Sequence, residues 1–368
     1  MLPLLVNKVL TTLWPPRVRP SVAPRWPRGF GRGKKRINLA LQGGGAHGAF
    51  TWGVLDQLLA DGRLVIDAIS GASAGAVNGV MLADGLVRGG PEEARARLAD
   101  FWQAASVTGR LPALQRGVVE RLFSLVPQHG SPLPWFDALS RFWSPHDLNP
   151  LNINPLKDLI ERYLDFDAIR ASRRELFVSA TNVRSGEMRV FTREEMSAEV
   201  VMASACIPFL FRAVEIDGAP YWDGGYTGNP TILPFLRTAG TEDVLVVQIN
   251  PHESHGAPSS AREIANRVHE ISFNASLLAE LRAVDLIGRL IDDGRLPLGG
   301  EYRRLRVHRI VMDDGFDASS RLKTDYEFFD ALRQLGQRAA RRFLDAHFGD
   351  IGRRSTIGRE PEARAEVA

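Results

Sequence analysis

A serine lies between two glycines where a predicted strand meets a predicted helix. The apolar run from Val65 to Ser70 predicts a buried strand, and the segment from Ala74 to Leu86 is rich in helix-forming residues. Between them, Gly71-Ala72-Ser73-Ala74-Gly75 fits Gly-x-Ser-x-Gly, the pattern of a nucleophile elbow. Glycines allow the chain to turn sharply, which lifts the Ser73 hydroxyl clear of the sheet. This junction favours an α/β fold with an exposed serine, although a five-residue pattern also arises by chance.

A glycine-rich turn follows the preceding predicted strand. Ile37 to Leu41 predicts a strand, and Gln42-Gly43-Gly44-Gly45-Ala46-His47-Gly48 leads from it into a helix. Such a turn gathers backbone N–H groups in one concavity, which suits a phosphate or the oxyanion of an acyl-transfer reaction. The Gly-Lys-Ser/Thr of a P-loop is missing, and the second strand lacks the acidic end of a dinucleotide fold. The sequence therefore favours an oxyanion hole over a nucleotide site.

A third motif, Asp223-Gly224-Gly225, completes an ordered set. On its own this tripeptide indicates only a turn. Together the three motifs resemble the patatin-like phospholipase family, whose pattern is Gly-x-Gly-x-x-Gly, then Gly-x-Ser-x-Gly, then Asp-Gly-Gly/Ala. The stretch Ala203-Ser204-Ala205-Cys206-Ile207-Pro208 is similar to the Ala-Ser-x-Ala-x-Pro segment that such domains carry before the aspartate. The resemblance covers residues 37 to about 250.

The resemblance implies a serine hydrolase of lipid acyl esters, of the phospholipase A or lysophospholipase type, with no cofactor. Ser73 would be the nucleophile and Asp223 the general base that accepts its proton. The remaining implied residues are the oxyanion donors Gly43, Gly44, Gly45, Ala46 and Ala74, and the motif glycines Gly48, Gly71, Gly75, Gly224 and Gly225. Two other classes stay open: a transacylase or hydrolase of thioesters or polyesters with the same residues, and a non-catalytic lipid-binding protein on this fold.

A serine–histidine–aspartate triad is a further alternative. Its histidine would come from His252, His255, His269, His308 or His347, none of which has a telling sequence context. The α/β-hydrolase fold, which carries this triad on a Gly-x-Ser-x-Gly elbow, places several strands before the nucleophile. Here only one predicted strand precedes the strand of the elbow, which argues against the triad.

Strands that alternate with helices predict an α/β fold with a largely parallel central sheet and flanking helices. The resemblance implies a three-layer catalytic domain over residues 37–250. We expect a helix-rich extension over 251–351 and a frayed tail over 352–368. The region 106–154 would form either a structural cap or an apolar lid. The segment from Arg262 to Ile291 predicts a helix whose core-facing stripe comprises Ile264, Val268, Ile271, Ala275, Leu278, Leu281, Val284, Ile287 and Ile291.

Charge is unevenly distributed along the chain. Residues 1–36 hold nine Lys or Arg and no acid, so the other residues carry a net charge of −6 although the whole chain is +3. We expect a disordered arm here, either a solvated tail or a contact to an anionic membrane surface. It resembles neither a secretory signal nor a transmembrane segment, which favours a cytoplasmic location without a nucleic-acid partner. One cysteine excludes an internal disulfide, and the histidine spacing favours no catalytic metal.

Overall fold

Eight strands form one mixed sheet in the part of the chain that the structure describes. The computed structural model describes residues 33–106, 154–208, 211–238, 240–250, 256–297, 302–312, 320 and 323–357. The strands are β1 (Lys35–Leu41), β2 (Leu64–Gly71), β3 (Glu175–Asn182), β4 (Met188–Thr192), β5 (Val214–Ile216), β6 (Ala219–Asp223), β7 (Asp243–Gln248) and β8 (Arg306–Val311). The region 106–154, for which we expect a cap or a lid, lies outside the described residues except at its two ends.

The helices connect and cover these strands. They are α1 (Gly48–Asp61), α2 (Ala74–Arg88), α3 (Pro91–Ala105), α4 (Pro155–Tyr163), α5 (Phe166–Ala171), α6 (Ala198–Ser204), α7 (Ala261–Asp292) and α8 (Tyr326–His347). Single 3₁₀ turns cover Gly45–His47, Arg193–Glu195, Gly224–Tyr226 and Leu233–Leu236. None of the described helices combines the length and the apolar character that crossing a bilayer requires.

The sheet is parallel through its centre and antiparallel at one side. Its order is β5-β6-β3-β2-β1-β7-β8. Strand β4 lies outside this order and pairs with the edge of β3 opposite to the one that contacts β2 and β6. Strands β3, β2, β1, β7 and β8 run parallel, whereas β4, β5 and β6 run antiparallel to their neighbours. The predicted α/β fold with a largely parallel sheet is confirmed.

One edge of β3 is shared by two strands that run in opposite directions. Gly71, the last residue of β2, lies opposite Val178. Asp223, the last residue of β6, lies opposite Ala180, two residues further along the same edge. Because β2 and β6 approach this point from opposite directions, the residues that follow both strands meet there.

Helices cover the two faces of the sheet. Alternate side chains of β7 point to opposite sides, so Leu245 and Val247 pack in the cluster with α1, α2 and α8, whereas Val244 and Val246 pack in the cluster with α7. The crossing of α1 and α8 is very close: a Cβ on Gly53 would lie 1.9 Å from the Arg333 carbonyl oxygen. The resulting arrangement has three layers, helix on sheet on helix.

Over its first half, helix α7 exposes the apolar stripe that we expect to face the core. Ile264, Val268 and Ile271 are exposed, and Val268 keeps 58% of its surface. Toward the end of the helix the stripe is buried as predicted. The buried face comprises Phe273, Asn274, Leu277, Glu280, Val284 and Ile287. Polar groups on this face bind the backbone of the neighbouring segment, as described below, and this binding determines which side turns inward.

The sheet begins slightly earlier than the predicted domain. Lys35 and Arg36, which we expect to belong to the arm, are the first two residues of β1. The Lys35 ammonium donates hydrogen bonds to three carbonyl oxygens after α8, those of Phe348 at 2.6 Å, Gly349 at 3.2 Å and Ile351 at 2.7 Å. Carbonyls at a helix end lack partners within the helix, so this lysine ties the first strand to the last helix.

The chain also stays packed beyond α8. The Gly352 N–H donates to Asp243 Oδ1 at 2.8 Å, and the Thr356 N–H donates to the Val307 carbonyl at 3.1 Å. Residues 352–357 therefore lie against β7 and β8, which differs from the frayed tail that we expect from residue 352 onward.

Candidate active site

The turn after β2 holds Ser73 in a backbone conformation that side-chain-bearing residues rarely adopt. Ser73 has φ 53° and ψ −125° and immediately precedes α2. Its N–H donates to the Ser204 hydroxyl oxygen at 2.9 Å. A Cβ on Gly75 would lie 2.0 Å from the Leu41 carbonyl oxygen, so only glycine permits the first turn of α2 to sit this close to β1. The elbow is thus held by its glycine and by a hydroxyl from α6.

The Asp223 carboxylate meets the Ser73 hydroxyl at the shared edge of β3. Ser73 Oγ donates to Asp223 Oδ2 at 2.7 Å, and the Gly225 N–H donates to Asp223 Oδ1 at 2.7 Å. Burial raises the pKa of Asp223 to about 6, although both hydrogen bonds oppose that rise. The carboxylate is therefore ionised at neutral pH and is a stronger base than an exposed aspartate.

The glycine loop lies directly against the elbow. A Cβ on Gly43 would come within 2.7 Å of both the Ala72 carbonyl oxygen and Ser73 Cβ. The Gly43 N–H donates to Asn229 Oδ1 at 2.6 Å, so this predicted oxyanion donor is engaged within the protein. The side-chain amide Nδ2 of Asn250 donates a hydrogen bond to the Gly43 carbonyl oxygen at 2.9 Å. Because a peptide group is planar and trans, that bond also directs the Gly44 N–H away from Asn250.

The other predicted donors keep their N–H groups available. The N–H groups of Gly44, Gly45 and Ala46 form no hydrogen bond to another residue that the structure describes. Ala74 is the first residue of α2, where N–H groups have no partner within the helix. These groups belong to two elements, the glycine loop, whose Gly43 lies against Ser73, and the elbow helix, which begins directly after Ser73.

Several framework residues escaped the sequence interpretation. Gln42 Oε1 accepts hydrogen bonds from the Ile249 N–H at 2.9 Å and the Asn250 N–H at 2.8 Å, which joins the glycine loop to the end of β7. Asn229 and Ser204 hold Gly43 and Ser73 through single bonds to the backbone. Gln42 begins the glycine-rich turn and Ser204 lies in the Ala-Ser-x-Ala-x-Pro stretch, but neither position indicates this role, and Asn229 is a single polar residue before a proline.

Histidines take no part in this cluster within the described residues. His308 Nε2 lies 3.0 Å from Asp243 Oδ1, at the start of β7 and so at the opposite end of the sheet from Ser73. His347 pairs with Asp350, and His269 stacks on Phe273. No described histidine hydrogen-bonds to Ser73 or Asp223, and His252 and His255 lie outside the described residues.

Comparison with known proteins gives the family. The sequence model described as patatin-like phospholipase matches residues 39–236, more than half of the chain. The chain belongs to the patatin-like phospholipase family. The matched residues include the glycine loop, the elbow and Asp223, and family membership indicates a lipid hydrolase. None of the curated protein sequences compared with this patatin-like chain matches it significantly.

Three solved structures similar to this patatin-like chain have low sequence identity to it. VipD from Legionella pneumophila is 15% identical with a TM-score of 0.41, over 85% of this chain and 67% of VipD. The type III effector ExoU is 14% identical with a TM-score of 0.35, over 84% of this chain and 53% of ExoU. ExoU in its complex with SpcU from Pseudomonas aeruginosa is 16% identical with a TM-score of 0.33, over 85% of this chain and 52% of ExoU. The chain therefore spans about half the length of the ExoU chains it matches.

Proposed function

We propose that this protein is a serine acyl-ester hydrolase acting on lipids through a Ser73–Asp223 dyad. The observation that carries the proposal is the 2.7 Å hydrogen bond from Ser73 Oγ to the buried carboxylate of Asp223. Family membership supports a lipid ester as the substrate. The class is that of a phospholipase A or lysophospholipase.

The arrangement suits acylation of the serine. Ser73 Oγ attacks the acyl carbonyl carbon while its proton passes to Asp223 Oδ2. The elevated pKa of Asp223 makes that transfer easier than it would be to an exposed carboxylate. The negative charge that develops on the carbonyl oxygen would be stabilised by N–H groups of Gly44, Gly45, Ala46 and Ala74. The tetrahedral intermediate then collapses, and the leaving alcohol takes the proton from Asp223.

Deacylation reverses the roles. Asp223 accepts a proton from water, the resulting hydroxide attacks the acyl-Ser73 carbonyl, and the carboxylic acid leaves as Ser73 regains its proton. An alcohol in place of that water would give transacylation with the same residues. The product mixture distinguishes these two outcomes.

Two measurements on full-length protein test the proposal. A fluorophosphonate probe should label the wild type and leave Ser73→Ala unlabelled, because the probe reacts with an activated serine. Mass spectrometry of products from a mixed lipid extract should then show free fatty acid formed by the wild type and not by Ser73→Ala. Labelling of Ser73 without lipid hydrolysis would indicate that the substrates are acyl esters other than lipids. No labelling of a folded wild type would favour a non-catalytic lipid-binding protein.

A further inference from the structure

A carboxyl group is buried in α7 with only neutral donors bound to it. The Glu280 side chain accepts three hydrogen bonds at Oε2, from Thr231 Oγ1 at 3.1 Å, the Ile232 N–H at 2.5 Å and the Leu233 N–H at 3.1 Å. Within the described residues, no Lys, Arg or His forms an ion pair with it. Burial raises the pKa of Glu280 to about 7, against the effect of the three donors. A polar group this deep is tolerated only because it is hydrogen-bonded.

The backbone that Glu280 holds continues into the site. Asn229, two residues before Thr231, accepts the Gly43 N–H at 2.6 Å. The Thr231 carbonyl accepts a hydrogen bond from Ser70 Oγ at 2.6 Å, and Ser70 lies three residues before Ser73. The segment 229–233 therefore touches both the glycine loop and the strand that leads to the elbow.

Other groups on the same face of α7 hold the start of this segment. The Asn229 N–H donates to Ser276 Oγ at 3.1 Å, and the Asn229 side-chain amide donates to the Phe273 carbonyl at 3.2 Å. Positions 273, 276 and 280 are three and four residues apart, so they fall on one helix face. All three lie beyond residue 236, where the match to the family model ends.

We propose that Glu280 is a positioning residue for the oxyanion hole. It fixes the segment 229–233, that segment places Asn229, and Asn229 orients the Gly43 peptide beside Ser73. The Gly43 N–H is bound by Asn229 and its carbonyl by Asn250, so the direction of the Gly44 N–H depends on both clamps. Glu280 touches no reacting atom and exchanges no proton with the substrate. The inference rests on the proposed ester hydrolysis, which it extends to a helix beyond the matched residues.

The test compares three variants of the full chain. Glu280→Ala removes the acceptor, whereas Glu280→Gln keeps an oxygen that accepts the same three bonds. Leu290→Ala is the matched control, because Leu290 is also buried on α7 and makes none of the hydrogen bonds to segment 229–233. Activity is measured as kcat and KM on a soluble short-chain ester, at a temperature where circular dichroism shows each variant folded.

We expect Glu280→Ala to lower kcat by about tenfold or more, because misplaced N–H donors lose transition-state stabilisation. KM should change by less than about threefold, since ground-state binding of a short ester does not use those donors. Glu280→Gln should recover most of the lost kcat. Leu290→Ala should lower the thermal midpoint with kcat unchanged. A folded Glu280→Ala with wild-type kcat, or an equal loss of kcat in Leu290→Ala, would overturn the proposal.

Amide hydrogen exchange, measured by mass spectrometry, gives a readout that does not need catalysis. Exchange in peptides covering residues 42–48 and 229–236 should be faster in Glu280→Ala than in Leu290→Ala or wild type. Unchanged exchange in both peptides would refute the positioning role even if the enzyme is active. If Glu280→Ala does not fold, Thr231→Val, which removes one of the three bonds, takes its place with the same expected direction. A wild type that hydrolyses no ester would contradict the proposed function. The hydrogen-exchange measurement would still test whether Glu280 positions the glycine loop.

Discussion

At the scale of the residue, the burial of Asp223 makes its carboxylate a stronger base and makes the folded state less stable when that carboxylate is ionised. The folded pKa of about 6 lies above the value of about 3.9 for an unfolded aspartate. Ionised Asp223 therefore destabilises the folded state. The penalty is absent below the unfolded pKa, grows as the pH rises, and is complete above the folded pKa.

Asp223→Asn should accordingly abolish hydrolysis and raise stability at pH 8. The amide keeps the shape of the carboxylate and can bond to Ser73 and Gly225, but it cannot accept the serine proton. The gain in unfolding free energy should be at most about 3 kcal/mol, and it should vanish as the pH falls toward 4. Thermal unfolding at pH 8 and pH 4.5 measures it. A variant that is less stable at pH 8, or that retains wild-type turnover, would contradict the role given to this carboxylate.

The same ionisation predicts the pH profile of the wild type. The base must be unprotonated, so kcat/KM on an uncharged ester should fall below a midpoint near the pKa of Asp223, about 6, by about tenfold per pH unit. Glu280 has a raised pKa of about 7 and could produce a similar profile. The Glu280→Gln variant separates the two, because it should keep the midpoint. Loss of the low-pH decline in that variant would assign the profile to Glu280.

At the scale of the element, the glycine loop packs directly against the elbow. Gly43→Ala would force a Cβ against Ala72 and Ser73, so we expect kcat to fall by about tenfold or more. Gly62→Ala is the matched control. Gly62 ends α1 with φ +71° and an added Cβ there would meet no atom within 4 Å, so it should cost about 1 kcal/mol of stability and leave kcat unchanged. We would measure kcat on a soluble ester and the thermal midpoint of both variants. Equal kcat in the two variants would show that the contact at Gly43 does not affect catalysis.

The local elements around the site were predictable because their signals are local. The strand, glycine turn and helix around Gly43 and Ser73 each fit a few consecutive residues, and the motif order placed Asp223 in the same family pattern. The face of α7 was not predictable from its apolar periodicity. Its inward side carries Asn274, Ser276 and Glu280, whose hydrogen-bond partners lie far away in the sequence. A hydropathy pattern assigns such polar residues to the exposed face of a helix.

The same reason explains which site residues the sequence concealed. Ser204, Asn229 and Gln42 act through bonds to the backbone of distant residues, and such bonds accept many polar side chains. A catalytic motif is detectable in a sequence because its chemistry requires one particular residue type at each position. A side chain that binds a peptide group can belong to a motif, as Ser204 does, without the motif indicating what it binds.

At the scale of the whole molecule, the basic arm has two open interpretations, a solvated tail and a contact to an anionic membrane surface, which a truncation distinguishes. Residues 33–368, which keep Lys34, Lys35 and Arg36, carry a net charge of −3, which an anionic surface would repel, so attraction has to come from the arm. Each arm cation near such a surface contributes about 1 kcal/mol, and salt screens it. Deleting residues 1–32 should weaken co-sedimentation with anionic vesicles at low salt, weaken it less with neutral vesicles, and leave kcat on soluble esters unchanged. Equal vesicle binding by both forms would identify the arm as a solvated tail.

The position of that truncation matters. Deleting residues 1–36 also removes Lys35, with its three carbonyl contacts after α8, and Arg36, whose guanidinium lies 2.7 Å from Asp67. The longer deletion should therefore lower the thermal midpoint, whereas the shorter one should not. Comparing the two forms separates loss of membrane contact from loss of fold.

Because Ser73 and Asp223 come from distant parts of the sequence to the shared edge of β3, the proposed active site is completed late during synthesis. A ribosome releases Ser73 and the glycine loop early, but Asp223, the proposed base, follows 150 residues later, and α7, the helix proposed to brace the loop, follows after that. A nascent chain that ends before Asp223 carries a serine with no proton acceptor beside it. We therefore expect the growing polypeptide to be inert toward the lipids of the cell that makes it until most of its length has been translated.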